Sequence, residues 1–278
     1  MTKKLIIAEK PSVAADIAKA LGGFTKHDDY FENDTHVISS AVGHLLELSC
    51  PEEFEVKRGK WSFAHLPVIP PHFALSPIEK TESRLKVLNK LIKRKDVDGL
   101  INACDAGREG ELIFNYIAQH SKSGKPVQRL WLQSMTQGAI RDGFSRLRPG
   151  REMEGLGDAA VCRSESDWLV GINGTRAMTA FNSKTGGFHL TTVGRVQTPT
   201  LAIVVEREKR IREFKSRPYW EVEASFAAKA GDYNGKWFDE AFKGKNDDEH
   251  ARADRLWEEK RADAIRAATI GKPGIVTE

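Results

Sequence analysis

Asp105, Glu109 and Glu111 crowd into one short stretch, CDAGREGELIF at residues 104–114, with Gly107 and Gly110 between them. Like charges that close raise one another's pKa unless something positive holds them. Two arrangements would hold them. The acids can sit on the solvated first turn of a helix, where the dipole favours negative charge. Or they can bind Mg²⁺, a hard cation that takes oxygen ligands, keeps several waters and is usually held by one or two carboxylates together with a substrate phosphate. Glycines at 107 and 110 would let backbone and phosphate come close. A second acid–base pair, Glu9–Lys10, follows the apolar run KKLIIA. Such a pair is common as surface charge, yet beside a metal a carboxylate and an ammonium can handle proton transfer and phosphate charge.

The elements that must position these residues alternate strand and helix through the first half. KKLIIA has the pattern of a buried strand, and EKPSVAADIAKALGG that of a helix, with Val13, Ile17 and Leu21 at i, i+4, i+8, Pro11 near its start and Gly22 as its stop. HVISSAVG at 36–43 is a second apolar strand, followed by a helix near 80–94, a strand DGLINAC at 98–104 and a helix carrying Leu112, Ile113, Tyr116 and Ile117. VQRLWL and MTQGAIRDGFSRL continue the alternation. Such βα repetition implies a mainly parallel sheet flanked by helices, with ligands outside the carboxyl ends of its strands. Glu9 and Asp105 each follow a strand, so they become neighbours if those strands are adjacent.

The chain's 278 residues are 40% hydrophobic and 29% charged, enough for a sizeable core and, by length, about two domains. No run approaches the roughly 18 apolar residues of a membrane span, and MTKKLIIAEKPS is too briefly apolar for a signal peptide, so a cytosolic setting is expected. Cys50, Cys104 and Cys162 lack zinc-site spacing and are odd in number for a disulfide framework, which leaves reduced structural thiols. A net charge of +4 and a pI near 8.8 admit a polyanionic partner without requiring one.

From about residue 151 the pattern changes to long helices. In DAAVCRSESDWLVGINGTRAMTAF, Trp168 can be a core residue with Arg163 and Arg176 as surface charges. Alternatively a base stacks on Trp168 while Arg176 meets phosphate, the pairing of aromatic platform and cation used on single strands. TTVGRVQTPTLAIVVEREKRIREF opens with a small-residue loop and is expected to enter a helix at Pro199, with Thr198 as N-cap. Free N–H groups there would suit phosphate, with Arg195 and Gln197 adding charge and hydrogen bonds; the other reading is an ordinary capped helix with Arg195 in solvent. His44, in VGHLLEL, has no evident partner at ligand spacing and is taken as structural. YWEVEASF alternates as a half-buried strand should, and the mixed-charge segment 240–268 has the character of a solvated helix or insertion.

IIAEKPSVAADIAKALG, VGHLLEL, DAGREGELI, RLWLQSMT, DWLVGINGTRAMT, VGRVQTPTLAIVVERE and PYWEV, in that order, cover essentially the whole chain. Together they resemble the amino-terminal part of type IA DNA topoisomerases, most closely those of the bacterial topoisomerase III kind. The resemblance implies an α/β TOPRIM domain, with a Rossmann-like parallel sheet, over 1–150, a helical DNA-binding segment over 151–215 and the beginning of a β-rich gate or arch domain over 216–278. The TOPRIM domain would bind Mg²⁺ for phosphoryl transfer. Glu9, Asp105 and Glu109 would be metal-binding, and the catalytic pair Glu9 and Lys10 would include an ammonium that stabilises the scissile phosphate or the leaving oxygen. Trp61, Trp168 and Arg176 would line the DNA path, with Thr192, Val193, Gly194, Arg195, Val196 and Gln197 against the DNA backbone; Trp61 is otherwise a loop aromatic covering the core. Many relatives carry D-x-D-x-E where this chain has Gly107 in the middle position, so whether one metal or two is held stays open.

Family members break one strand through a tyrosine hydroxyl within a motif resembling T-Y-x-R-T-D. No such motif occurs here: Tyr30, Tyr116, Tyr219 and Tyr233 each have a structural reading, and the chain is expected to be a fragment or truncated product. The implied activity is ATP-independent breakage and rejoining of one DNA strand, to relax negative supercoils or decatenate. It would be carried out on mainly single-stranded regions by a monomer in the bacterial cytoplasm, associated with nucleoid or plasmid. A non-catalytic module that grips single-stranded DNA is the alternative. A TOPRIM nuclease or primase would explain DAGREGE but not the motifs at 160–212.

Overall fold

The computed structural model describes residues 2–57, 59–244, 248 and 250–276. It divides into two compact units, Met1–Ala202 and Ile203–Glu278. In chain order the elements are β1 (Lys3–Ala8), α1 (Pro11–Leu21), β2 (Thr25–Lys26), β3 (Phe31–Glu32), β4 (His36–Ser40), β5 (Leu46–Ser49), β6 (Ala74–Pro77), α2 (Glu82–Ile92), β7 (Val97–Ala103), α3 (Arg108–Ser121), β8 (Val127–Arg129), α4 (Gln137–Ser145), β9 (Arg148–Pro149), α5 (Glu154–Asn182), α6 (Gln197–Glu213), β10 (Glu223–Ala228), β11 (Gly231–Lys236) and α7 (Glu259–Thr269). Among the described residues no helix is long and apolar enough to cross a membrane.

The first unit is organised by a seven-stranded sheet of order β2-β3-β4-β1-β7-β8-β9. Its centre, β4-β1-β7-β8, is parallel, and the short edge strands are antiparallel. Central parallel strands are covered on both faces and so are apolar at nearly every position, as LIIA in β1 and LINA in β7 are. Alternate residues serve opposite faces. Leu5, Ile7, Val37 and Leu100 pack with Leu85 and Leu88 of α2 and Ile113 and Ile117 of α3. Ile6, Ala8, Ile38 and Ile101 pack instead with Ile17 of α1 and Ile140 of α4.

The expected neighbours are indeed neighbours: β1 pairs with β7 in parallel, Ala8 opposite Ala103. From β1 the chain crosses through α1 to β4 on one side, and from β7 it crosses through α3 to β8 on the other. The strand order therefore reverses between β1 and β7. That reversal opens a crevice at the carboxyl edge, the usual ligand position in such sheets, and Glu9 and Asp105 stand on its two sides.

Several elements are shorter or shifted. The second apolar strand ends at Ser40, because the chain turns at Gly43, whose φ of 89° suits glycine. β8 covers only VQR; the chain then leaves the sheet with the guanidiniums of Arg129 and Arg148 over the Trp131 ring, 5.2 and 5.4 Å from its centroid. α6 begins at Gln197 rather than Pro199, and Thr198 is not its N-cap. Thr198 lies inside the first turn, donating its N–H to the Gly194 carbonyl and accepting the Gly194 N–H on Oγ1 at 3.1 Å.

α5, 29 residues long, packs on α3. Gly157 permits the approach, since a Cβ there would lie 2.6 Å from Asn115 Nδ2. Tyr116, buried in the core, donates its hydroxyl to Ser164 Oγ at 3.3 Å. Residues 151–202 are thus part of the same compact unit as the α/β layer.

In the second unit β10 and β11 form an antiparallel hairpin. The strand expected from Trp220 begins at Glu223; Trp220 makes an isolated bridge to Leu256 instead. The expected solvated helix in 240–268 is α7, with Ala262 its one buried residue; parts of that segment, 245–247 and 249, lie outside the described residues.

Candidate active site

Glu9 ends β1 and precedes α1; Asp105 follows β7 and precedes α3. Lys10 joins them, its Nζ 3.1 Å from Asp105 Oδ2 and 3.5 Å from Glu9 Oε1. The Asp105 hydrogen bond and the Glu9 charge raise the Lys10 pKa above its ordinary value, so it is an ammonium. Glu9 is 8% exposed, and its Oε2 is buried without a hydrogen-bond partner. A buried carboxylate oxygen with no donor is costly, and a cation would satisfy it. The first turns of α1 and α3 both start here, and neither has a side-chain cap, which leaves backbone N–H groups free for an anion.

The crowding in DAGREGE resolves into three acids facing three different basic side chains. Asp105 meets Lys10, Glu109 meets His44 Nε2 in a short hydrogen bond, and Glu111 turns inward to Arg129. Glu109 is therefore not brought to the Glu9–Asp105 pair, and among the described residues no group of three or more His, Cys, Asp or Glu side chains is arranged to hold a metal. Two carboxylates with a substrate phosphate and waters do suit Mg²⁺; Glu9 and Asp105 are the residues that would hold it.

Arg129 is the hidden support of this arrangement. It is 1% exposed, with Nε 2.5 Å from Glu111 Oε1. Its Nη1 donates to the carbonyls of Asn102, Cys104 and Leu130, and its Nη2 donates to the Asp105 carbonyl at 2.8 Å. Asn102 completes the network, donating to Glu111 Oε2 and accepting the Cys104 N–H. The guanidinium thereby fixes the loop that carries Asp105.

The two glycines do different work. A Cβ on Gly110 would fall 2.1 Å from the Asp105 carbonyl oxygen, so Gly110 admits backbone rather than phosphate. Gly107 is extended (φ 161°, ψ 179°), and a Cβ there meets nothing within 4 Å. Gly107→Asp is accordingly expected to fold normally and to tighten Mn²⁺ binding several-fold by adding a third carboxylate. An unchanged titration would show that position 107 faces away from the pair.

The residues expected on a DNA path gather along α5. Trp168, half-buried, meets Phe73 edge-on at 5.6 Å. Asn173 clamps Val68, accepting its N–H at 2.6 Å and donating to its carbonyl at 2.8 Å. Arg176 does not reach the surface: it is 7% exposed, donates to the Phe54 carbonyl at 2.8 Å and lies 5.7 Å from the Trp61 ring. Trp61 donates its indole N–H to the Val56 carbonyl. On the other side of α5, Thr175 Oγ1 accepts the Val193 N–H, and Gly174 leaves room for the Val193 side chain. Thr192, Val196 and Gln197 are exposed, Val193 and Gly194 half-buried, and exposed Arg195 pairs with Asp167 at 3.0 Å. α5 thus holds two loops, 50–73 and 188–196, by side-chain contacts to their backbones.

His44, Asn102 and Arg129 are the site residues that spacing alone does not reveal, and Glu111, marked by its spacing, turns inward to a partner that spacing does not show. Asn102 within GLINAC and Arg129 within VQRLWL carry a signal nonetheless, since a polar residue in a buried strand requires a buried partner.

Two family models match the chain: one described as Toprim domain, over residues 4–135, and one described as DNA topoisomerase, over 151–277. The chain is 43% identical over 225 residues to DNA topoisomerase 3 of Bacillus cereus (strain ATCC 10987 / NRS 248), and 42% identical over 226 residues to DNA topoisomerase 3 of Bacillus subtilis (strain 168). Each match covers 81% of this chain, which spans 30% of the length of those relatives. Full-length topoisomerase I from Thermotoga maritima shares the fold, with a TM-score of 0.58 at 19% identity over 95% of this chain and 37% of that one. With a Toprim domain that places Glu9, Lys10 and Asp105 at its switch point and a topoisomerase segment built on α5, the chain belongs to the type IA DNA topoisomerases.

Proposed function

We propose that this chain supplies the phosphate-handling centre and part of the strand-gripping surface of a topoisomerase III-like enzyme, which breaks and rejoins one DNA strand to relax negative supercoils or decatenate. The observation that carries the reading is the convergence of Glu9, Lys10 and Asp105 at the strand-order reversal, with one Glu9 oxygen buried and unpartnered. Mg²⁺ bound there would neutralise the phosphate and orient it. Glu9 and Asp105 would hold the ion, while Glu109 remains with His44. Lys10 would neutralise the scissile phosphate or give a proton to the departing oxygen. The attacking hydroxyl, a tyrosine by family resemblance, would exchange one phosphoester for another, so rejoining is the same step reversed. Residues 1–150 would be the metal-binding domain, 151–215 the DNA-binding segment and 216–278 the start of the arch. The partner would be single-stranded DNA and the setting the bacterial cytoplasm, at nucleoid or plasmid, as a monomer.

Asp105→Asn should weaken Mn²⁺ and Mg²⁺ binding without unfolding the unit; an unchanged titration would remove the metal from this site. For the groove, Arg195→Ala should weaken single-strand binding for all sequences and flatten the log–log salt dependence by about 0.7. Trp168→Ala should cost about 1–3 kcal/mol of binding with little change in slope. Arg176→Ala should instead lower thermal stability, because its donors serve the protein's own loop. Equal salt slopes for the Arg195 variant and the wild type would assign Arg195 to bare surface.

A further inference from the structure

A cleft of about 280 Å³ opens beside Asp105, between the segments that leave β7 and β8. Val13 of α1, Ala103, Leu130 and Leu132 give it apolar walls, and Gln133 and Ser134 stand at its rim. The walls are fixed: Ala103 and Leu130 are buried, and Leu132 is seated against α4, where a Cβ on Gly143 would meet it at 2.6 Å. Ser134 is occupied with Thr136 at the start of α4, whereas the exposed Gln133 carboxamide makes no hydrogen bond to another described residue. Asp105 lines this cleft and also binds Lys10, so cleft and phosphate centre share a residue.

We propose that the cleft receives one unpaired nucleobase of the strand whose phosphate lies at Glu9, Lys10 and Asp105, and that Gln133 reads the edge of that base. The inference rests on that centre being a phosphate site, as proposed above. Pockets for drug-sized molecules run about 300–1,000 Å³; one just below that range suits a single ring system. Apolar walls with a few convergent polar groups are how proteins hold flat aromatic ligands. A carboxamide offers a donor and an acceptor side by side, the pattern that pairs with base edges. Bases in single strands are free to splay into such a pocket. Among the described residues no Lys or Arg lines the cleft, and Asp105 at its side repels anions, so base rather than phosphate enters it.

The test uses the 278-residue chain with Mg²⁺ and measures binding of deoxyribose 5-phosphate and of the four deoxynucleoside 5′-monophosphates. At least one nucleotide should bind tenfold or more tightly than the sugar phosphate. Val13→Phe, which fills the cleft, should abolish that gain and leave sugar-phosphate affinity unchanged. Gln133→Ala, an exposed substitution with no effect on folding, should narrow the differences among the four bases. The proposal is overturned if no nucleotide surpasses the sugar phosphate, or if the gain survives Val13→Phe. Failure of the sugar phosphate itself to bind strikes the phosphate reading instead. The four deoxynucleosides then decide the cleft through the NMR signal of the Met135 methyl at its edge: a perturbed signal supports a base site, and an unmoved one overturns it.

Discussion

Replacing Arg129 by methionine is expected to destabilise the first unit by about 3–5 kcal/mol, the usual cost of removing one member of a buried ion pair. Five hydrogen bonds end on that guanidinium, and Glu111, itself 3% exposed, would be left as an uncompensated buried charge. The double variant Arg129→Met/Glu111→Leu separates the two parts of the cost. Removing both charges should restore stability only in part, since the carbonyls of Asn102, Cys104 and Asp105 still lose their donor, at about 1–3 kcal/mol for each group left unsatisfied. Metal binding should remain impaired in both variants, because the Asp105 loop has lost its anchor. Urea unfolding with a parallel Mn²⁺ titration measures both effects. A single variant within about 1 kcal/mol of wild type, less than any buried pair predicts, would show that Arg129 is not a support.

The positions of Glu9 and Asp105 were legible because both follow apolar runs that can only be central strands, and parallel sheets gather their functional residues at one edge. The alternation did not reveal that β1 and β7 are adjacent; that depends on α1 and α3 crossing to opposite sides. Glu111 was hidden for another reason. An acid in the first turn of a helix has a sufficient explanation in the dipole, and only the arginine 18 residues later in a buried strand shows that it turns inward. His44 and Glu109 stand 65 residues apart, and nothing local to VGHLLEL marks the contact. Arg176 was misplaced because GINGTRAMT has no clear apolar period: α5 is flanked by two irregular loops rather than lying on a sheet, so which of its sides is inside is set by those loops. The segment 50–73, which buries Arg176, carries no regular pattern to disclose this.

Gly110→Ala is expected to damage the metal centre most for the smallest chemical change. The added methyl would lie 2.1 Å from the Asp105 carbonyl oxygen and 3.0 Å from that residue's carbonyl carbon and nitrogen. No flexible side-chain end is there to yield. The carbonyl is held by Arg129 Nη2 at 2.8 Å, and α3 is held by Ile113, Phe114 and Ile117 in the core and by Tyr116 against α5. Overpacking of this kind costs about 1–3 kcal/mol, or roughly 2–4 °C of Tm per kcal/mol in a domain of this size. Whatever strain is not paid in stability appears as displacement of Asp105. A shift of about 1 Å in a positioned group can cost about a hundredfold in rate, and Mg²⁺ is intolerant of distorted geometry. Gly107→Ala, three residues earlier, supplies the control: its methyl meets nothing within 4 Å, and its backbone is one any residue adopts. Thermal unfolding and Mn²⁺ titration should leave Gly107→Ala close to wild type, while Gly110→Ala melts several degrees lower and binds metal at least tenfold more weakly. If the two variants bind metal alike, the Asp105 loop adjusts freely, and the rigid support assigned here to Arg129 and Gly110 is wrong.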